Sequence, residues 1–353
     1  MSMISACNFG LTSKGAPVTR FTLWDGPCSA VILDYGGAVQ ALSVPDRRGR
    51  PVDVVLGFDD ITAYERQDKF LGALIGRCAN RIGGGTFRLN GRTYTLPRND
   101  GPNHLHGGLG FDRRVWSAQV QGSALRLTLH SPDGDQGYPG ALDAAVTYRL
   151  EGQALIIDYE AVSDGDTLCN LTNHTYFNLS GHGSGPVLDQ RIQLFASAYT
   201  PADAGSIPTG ELAPVAGTPM DLRESRPIGA DIDGGFRQLR LAQGFDHNWA
   251  VDGPSGILRP AARAYSEATG IGLLVETTLP GIQFYSGNHL DGCPAGKGGA
   301  PYDRRWGFCL ETQFYPDAVH HPNFPQPILL KGERYAHRTV FRFDREGAID
   351  RRG

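Results

Sequence analysis

Apolar residues in this chain recur at every second position, in short runs closed by glycine, proline or asparagine. A chain so patterned folds into half-buried antiparallel strands. The sharpest instance covers residues 86–96. Phe87 and Leu89 alternate with polar residues before Asn90-Gly91, and Tyr94 and Leu96 do so after it. Asn-Gly supplies the two positive-φ residues of a type I′ turn, so the segment predicts a hairpin. Residues 124–130, 142–150 and 155–162 predict a meander, in which Val146, Tyr148 and Leu150 mark one buried face. Residues 191–198, 271–278, 282–286 and 339–343 continue the pattern.

Helical signals are few; Asp60 is placed to cap a short helix near Ile61–Arg66. Without a strand–helix–strand rhythm, a doubly wound parallel sheet is disfavoured. No repeat of fixed period and no linker divides the chain. The glycine-rich residues 291–301 read as a long surface loop. The expectation is one all-β domain over residues 1–353, a large antiparallel β-sandwich. A chain this long buries a core without disulfides or metals. Its 47 glycines and 23 prolines are spread as turn punctuation.

Composition removes several function classes. The formal net charge is −4 and the cations are scattered, so nucleic acid is not an expected partner. No apolar run approaches the roughly 20 residues of a membrane span. Residues 1–10 lack the basic and apolar regions of a secretory signal. The six cysteines lie far apart without a CxxC pair and read as reduced thiols. A cytoplasmic location follows as the expectation, with a monomer as the default and a dimer as the alternative. The terminal Arg351-Arg352-Gly353 is expected to fray.

Some motifs carry less than they suggest. Gly83-Gly84-Gly85 leads into a strand, not a helix N-terminus, and reads as a turn. Asp133-Gly134-Asp135 and Asp231-Ile232-Asp233 lack the full spacing of a calcium loop. Adjacent His320 and His321 would point to opposite faces of a strand, which makes joint ligation of a metal awkward.

Three polar clusters set ionisable groups among apolar residues: Asn103-His104-Leu105-His106-Gly107-Gly108, Thr172-Asn173-His174-Thr175-Tyr176-Phe177-Asn178 and Leu310-Glu311-Thr312-Gln313-Phe314. Asn80-Arg81 and Gly244-Phe245-Asp246-His247-Asn248-Trp249 accompany them. Taken singly, a histidine here is more often structural than catalytic. Glu311 follows the apolar Phe308-Cys309-Leu310, and a buried carboxylate needs a partner or a task. Arg81 and Asp246 allow a structural ion pair, and Gln283 a satisfied core amide.

Together these clusters, with Asn80-Arg81-Ile82 and Pro280-Gly281-Ile282-Gln283-Phe284-Tyr285-Ser286-Gly287-Asn288, resemble in order the motif series of the galactose mutarotase, or aldose 1-epimerase, family. The resemblance spans about Tyr35 to Phe343. It implies a galactose mutarotase-like β-supersandwich and a cofactor-free, metal-free isomerase acting on a monosaccharide. It implies Glu311 as general base and His174 as general acid. It places His106, Asn80, Arg81, Asp246, Gln283 and Tyr176 around the sugar, with His106 also donating to the ring oxygen. Trp249 and the residues 291–301 depart from the usual pattern, and the loop bears on substrate range.

Attraction between Glu311 and His174 is expected to hold one ionised and the other protonated. Trp116, Tyr176 and Phe284 are aromatics able to stack on a pyranose, with core packing the plainer reading of each. The rival readings are a non-catalytic carbohydrate-binding protein, an inverting glycosidase using Glu311 and Asp246, a sugar-phosphate enzyme drawing on Arg77, Arg81 and Arg98, and an enzyme acting on a sugar lactone.

Overall fold

The computed structural model describes residues 3–345; Met1, Ser2 and the Arg351-Arg352-Gly353 terminus lie outside the described residues. Strands dominate, and every ladder between named strands is antiparallel. Three sheets form the body, together an antiparallel β-supersandwich. A five-stranded sheet runs from Met3–Leu11 to Pro51–Asp53 in chain order. A nine-stranded sheet carries the meander Ser117–Gln121, Ala124–Ser131, Leu142–Glu151 and Ala154–Ser163. It continues through Arg334–Arg345, Ile271–Thr277 and Arg259–Tyr265. A six-stranded sheet orders Tyr176–Phe177, Phe308–Gln313, Gly281–Tyr285, Asp246–Ala250, Ala198–Thr200 and Ala213–Pro214.

The hairpin forms as its turn chemistry dictates: Thr86–Leu89 pairs with Arg92–Thr95, and Asn90 and Gly91 take φ of 51° and 77°. Asp60 caps Ile61–Arg66 by accepting from the Ala63 N–H at 2.9 Å. Residues 191–198 do not form one strand. Arg191–Leu194 belongs to the nine-stranded sheet and Ala198–Thr200 to the six-stranded one. The chain changes sheets at Ser197, whose N–H and hydroxyl are both bound by Asp252 at 3.0 Å.

One core joins the sheets. Leu23 and Ile32 share it with Leu127, Val146 and Ile157 of the meander, and with Trp249, Phe284 and Phe308 of the six-stranded sheet. Tyr148 reaches across to the Gly37 carbonyl at 2.7 Å. Trp116 and Phe284 are core residues, not sugar platforms; the Trp116 indole N–H is held by the Phe111 carbonyl at 3.1 Å. Residues 291–301 run along the surface but are pinned. Lys297 turns inward and donates to Asp53 at 2.5 Å and to the Gln40 and Val55 carbonyls. Cys7, Cys78, Cys169, Cys293 and Cys309 are free thiols.

Candidate active site

The six-stranded sheet sets out the site by register. Phe308–Gln313 is buried throughout, and its side chains alternate in destination. Phe308, Leu310 and Thr312 face the core, where the Thr312 hydroxyl meets that of Thr339 at 2.6 Å. Cys309, Glu311 and Gln313 face the other way. Across the ladders Glu311 stands beside Gln283, and Gln283 beside Asn248; one row over, Cys309 stands beside Tyr285, and Tyr285 beside Asp246.

Above this floor lies a cavity of about 150 Å³ lined by Asn80, Arg81, His106, His174, Tyr176, Asp246 and Glu311, with Phe70, Tyr285 and His289. Larger concavities, of about 550 and 670 Å³, lie on the outer face of the nine-stranded sheet. Their charges are spent on one another, as in Arg126–Glu160–Arg334. The smaller cavity gathers the buried His106, His174 and Glu311.

His174 Nε2 and Glu311 Oε1 stand 3.7 Å apart, with side chains only 6% and 3% exposed. The Glu311 Oε2 atom and the Gln283 Oε1 atom are buried without a protein partner. Both are acceptors, and sugar hydroxyls would satisfy them. The Gln283 amide donates to Asp246 Oδ1 at 2.7 Å. Arg81 does not pair with Asp246; its Nε binds Asp100 at 2.8 Å, which leaves the terminal nitrogens of the fork for a ligand.

Asn80 and His106 interlock, both at positive φ, 62° and 52°. The His106 N–H binds the Asn80 carbonyl at 3.1 Å, and the Asn80 N–H donates to His106 Nδ1 at 3.2 Å. That bond decides the tautomer: a neutral His106 carries its hydrogen on Nε2 and is a donor toward the cavity. Next to it, Gly107 is at φ 80°, where a Cβ would collide with the Gly76 carbonyl.

Burial drives the titrating pair toward neutrality. It raises the Glu311 carboxyl well above 4.5, reinforced by the nearby Asp246 charge and only partly opposed by Arg81. Burial also lowers His174 to about 4, against smaller lifts from its own carbonyl and Asp246. His106 is pushed well below 6.5, first by burial and then by His174 and Arg81. Desolvation thus works against the attraction that two groups 3.7 Å apart would have as an ion pair. Moving one proton between Glu311 and His174 leaves the pair's proton count unchanged.

His106, His174 and Glu311 bring donor atoms within 4.8 Å of one another, a set of the kind that binds divalent metals. The His106 ring as bonded does not fit that role. Its Nδ1 lone pair is taken by Asn80, and its Nε2 carries the hydrogen.

All the expected site residues meet here; Gln283 enters through the floor. Asn80 lines the cavity, but its Oδ1 is spent on the Arg81 N–H at 2.9 Å. Phe70 was not foreseen. It sits at φ 58° with its ring 4.7 Å from that of His106 and 5.8 Å from that of His174. Nothing in residues 67–71 announces this, because a turn of non-glycine residues brings it in. Tyr285 could have been read from its spacing of two from Gln283. Among the arginines open to a phosphate role, Arg77 is buried and donates to the carbonyls of Ser131, Pro132, Pro139 and Gly140. Arg98 binds the Gly84 carbonyl. His320 and His321 both turn to Asp317, from a 3₁₀ turn and not a strand.

The sequence model of the aldose 1-epimerase family matches residues 19–342, and the chain belongs to that family. Among its relatives, the galactose mutarotase of Homo sapiens is 45% identical over 97% of this chain and 99% of its own. The aldose 1-epimerase of Escherichia coli is 38% identical over 94% and 97%. A galactose 1-epimerase from Lactobacillus acidophilus superposes with a TM-score of 0.85 at 29% identity, covering 98% of this chain and 99% of that one. No helix among the described residues is long and apolar enough to cross a membrane.

Proposed function

We propose that the protein interconverts the α and β anomers of a free aldose such as galactose or glucose, with Glu311 as base and His174 as acid. The observation that carries this reading is the buried Glu311–His174 couple, whose two pKa values are shifted in the directions the reaction needs. A carboxylate raised by burial is a stronger base, and an imidazolium lowered by burial a stronger acid.

The reactive form has Glu311 ionised and His174 protonated. Glu311 takes the proton of the C1 hydroxyl while His174 gives its Nε2 proton to the ring oxygen. The C1–O5 bond breaks and C1 becomes an aldehyde. The pair is now neutral, the arrangement that burial favours, so desolvation helps to drive ring opening. Rotation about C1–C2 presents the other face of the carbonyl. His174 takes back the O5 proton as O5 attacks C1, and Glu311 returns its proton to the new C1 oxygen. His106 Nε2–H donates to the ring oxygen as charge develops there. Arg81, Asp246 and Gln283 hold the remaining hydroxyls, and Tyr176 flanks the ring. Asn80 acts mainly through His106. The chemistry calls for no cofactor.

Cysteines set far apart in the chain with no CxxC pair suit a cytoplasmic setting, where we place the protein as a single-domain monomer. The test is polarimetry of freshly dissolved α-galactose and α-glucose. Faster approach to an unchanged final rotation is expected. No acceleration with any free aldose, together with turnover of a sugar 6-phosphate, a lactone or a chromogenic glycoside, would replace this reading with the corresponding rival. Sugar binding without turnover would leave a binding protein.

A further inference from the structure

The mechanism uses one nitrogen of His174; the other has a neighbour of its own. Cys309 Sγ lies 3.5 Å from His174 Nδ1, and both residues are buried. Cys309 and Glu311 are two apart on one strand and share a face, so a single strand brackets the imidazole with a carboxyl at Nε2 and a thiol at Nδ1. The facing strand fixes the level, because Tyr176, two residues beyond His174, pairs in register with Cys309.

Resting on the functional reading above, we propose that Cys309 is a positioning residue for the proton donor. Its sulfur accepts the Nδ1 hydrogen of His174 and so holds the ring in the rotamer and tautomer that turn Nε2 toward Glu311 and the sugar. A neutral His174 with hydrogen on Nδ1 has its lone pair at Nε2, where the shuttled proton must land. The choice of sulfur matters. A carboxylate at Nδ1 would stabilise the imidazolium and blunt it as an acid. A neutral thiol orients the ring without that effect, and burial keeps this thiol protonated, well above its usual range. The thiol is a weak acceptor, which suits a ring that must change protonation in every half-reaction.

The experiment compares Cys309→Ser and Cys309→Ala with the parent by polarimetry across pH and by ¹⁵N NMR of the His174 ring. Cys309→Ala is expected to lower kcat about tenfold at constant KM, the smaller end of what loss of an imidazole-orienting partner costs. Cys309→Ser, which keeps an acceptor, should recover most of that loss. The stronger hydroxyl bond should move the acid limb of the pH–rate profile upward. In the parent at neutral pH the ring should carry its hydrogen on Nδ1, and in Cys309→Ala the two tautomers should mix. The proposal is overturned by a parent ring with hydrogen on Nε2, or by a Cys309→Ala enzyme with parental kcat and tautomer. Should Cys309→Ala not fold, a Cys309→Ser profile identical to the parent's overturns it equally. If the parent accelerates no free aldose, the functional reading falls, and the ring's tautomer still decides the role of Cys309.

Discussion

Replacing Glu311 by glutamine separates the chemistry of the site from its architecture. Glu311 is buried, and burial together with Asp246 raises its pKa well above 4.5. That direction favours the neutral acid in the resting protein, which an amide imitates in shape and charge. The exchange should therefore change stability near pH 4.5 by less than about 1.5 kcal/mol, the range of volume-conserving exchanges. Above that pH the two proteins diverge. The unfolded parent ionises Glu311 while the folded parent keeps it protonated, so the parent loses stability as pH rises toward the folded pKa. The variant, which has nothing to ionise, should gain on the parent by about 1.4 kcal/mol per pH unit. Activity runs the other way. An amide cannot take the C1 proton, so kcat should fall by ~10²–10⁴, or about 2.7–5.5 kcal/mol of barrier at 1.36 kcal/mol per decade. Polarimetry gives kcat and KM, and urea titration across pH gives stability. A variant within tenfold of parental kcat would remove Glu311 as the base, and a stability gap constant from pH 5 to 8 would refute the buried neutral carboxyl.

His174→Asn should lose activity on a similar scale while still binding sugar by calorimetry; a change in KM alone would make it a binding residue. The acid limb of the parent's pH–rate profile should lie near 4, where His174 takes up a second proton for the pair, and not near 6.5. His174 and His247 are both lowered to about 4 by burial, so their contribution to stability is present above 6.5 and lost as pH falls toward 4. Thermal unfolding should show it at roughly 1.4 kcal/mol per pH unit for each ring. Arg77→Met should cost ~3–5 kcal/mol by stranding the carbonyls it serves, with KM unchanged in whatever folds; a raised KM would put Arg77 back among substrate contacts.

Sequence reading reached the sheets because alternation and turn chemistry are local. Asn90-Gly91 and Asp60 act on their own neighbours, and both appear as expected. The strand break at Ser197 was not legible, because the residue that ends the strand, Asp252, is distant in sequence. The same limit separates the site residues. Glu311, His174, His106 and Arg81 sit in distinctive motifs, but the partner of Arg81 is Asp100 and not Asp246, a choice made only by the folded register. Phe70 reaches the histidines through a turn with no periodic signature. Protonation is not legible for a related reason. Attraction between two residues can be guessed from their types, but the cost of drying them depends on everything packed around them.

Phe308–Gln313 leaves this family member little freedom to change its chemistry by small steps. One side of the strand completes the core and the other carries Cys309 and Glu311. A single inserted or deleted residue would exchange those sides, burying the carboxylate among aromatics and offering leucine to the sugar. Variants that broaden substrate range should therefore accumulate at the loop residues that line the cavity, Asp68, Lys69, Phe70 and His289, while length changes within this strand should be absent from any selected library of active enzymes.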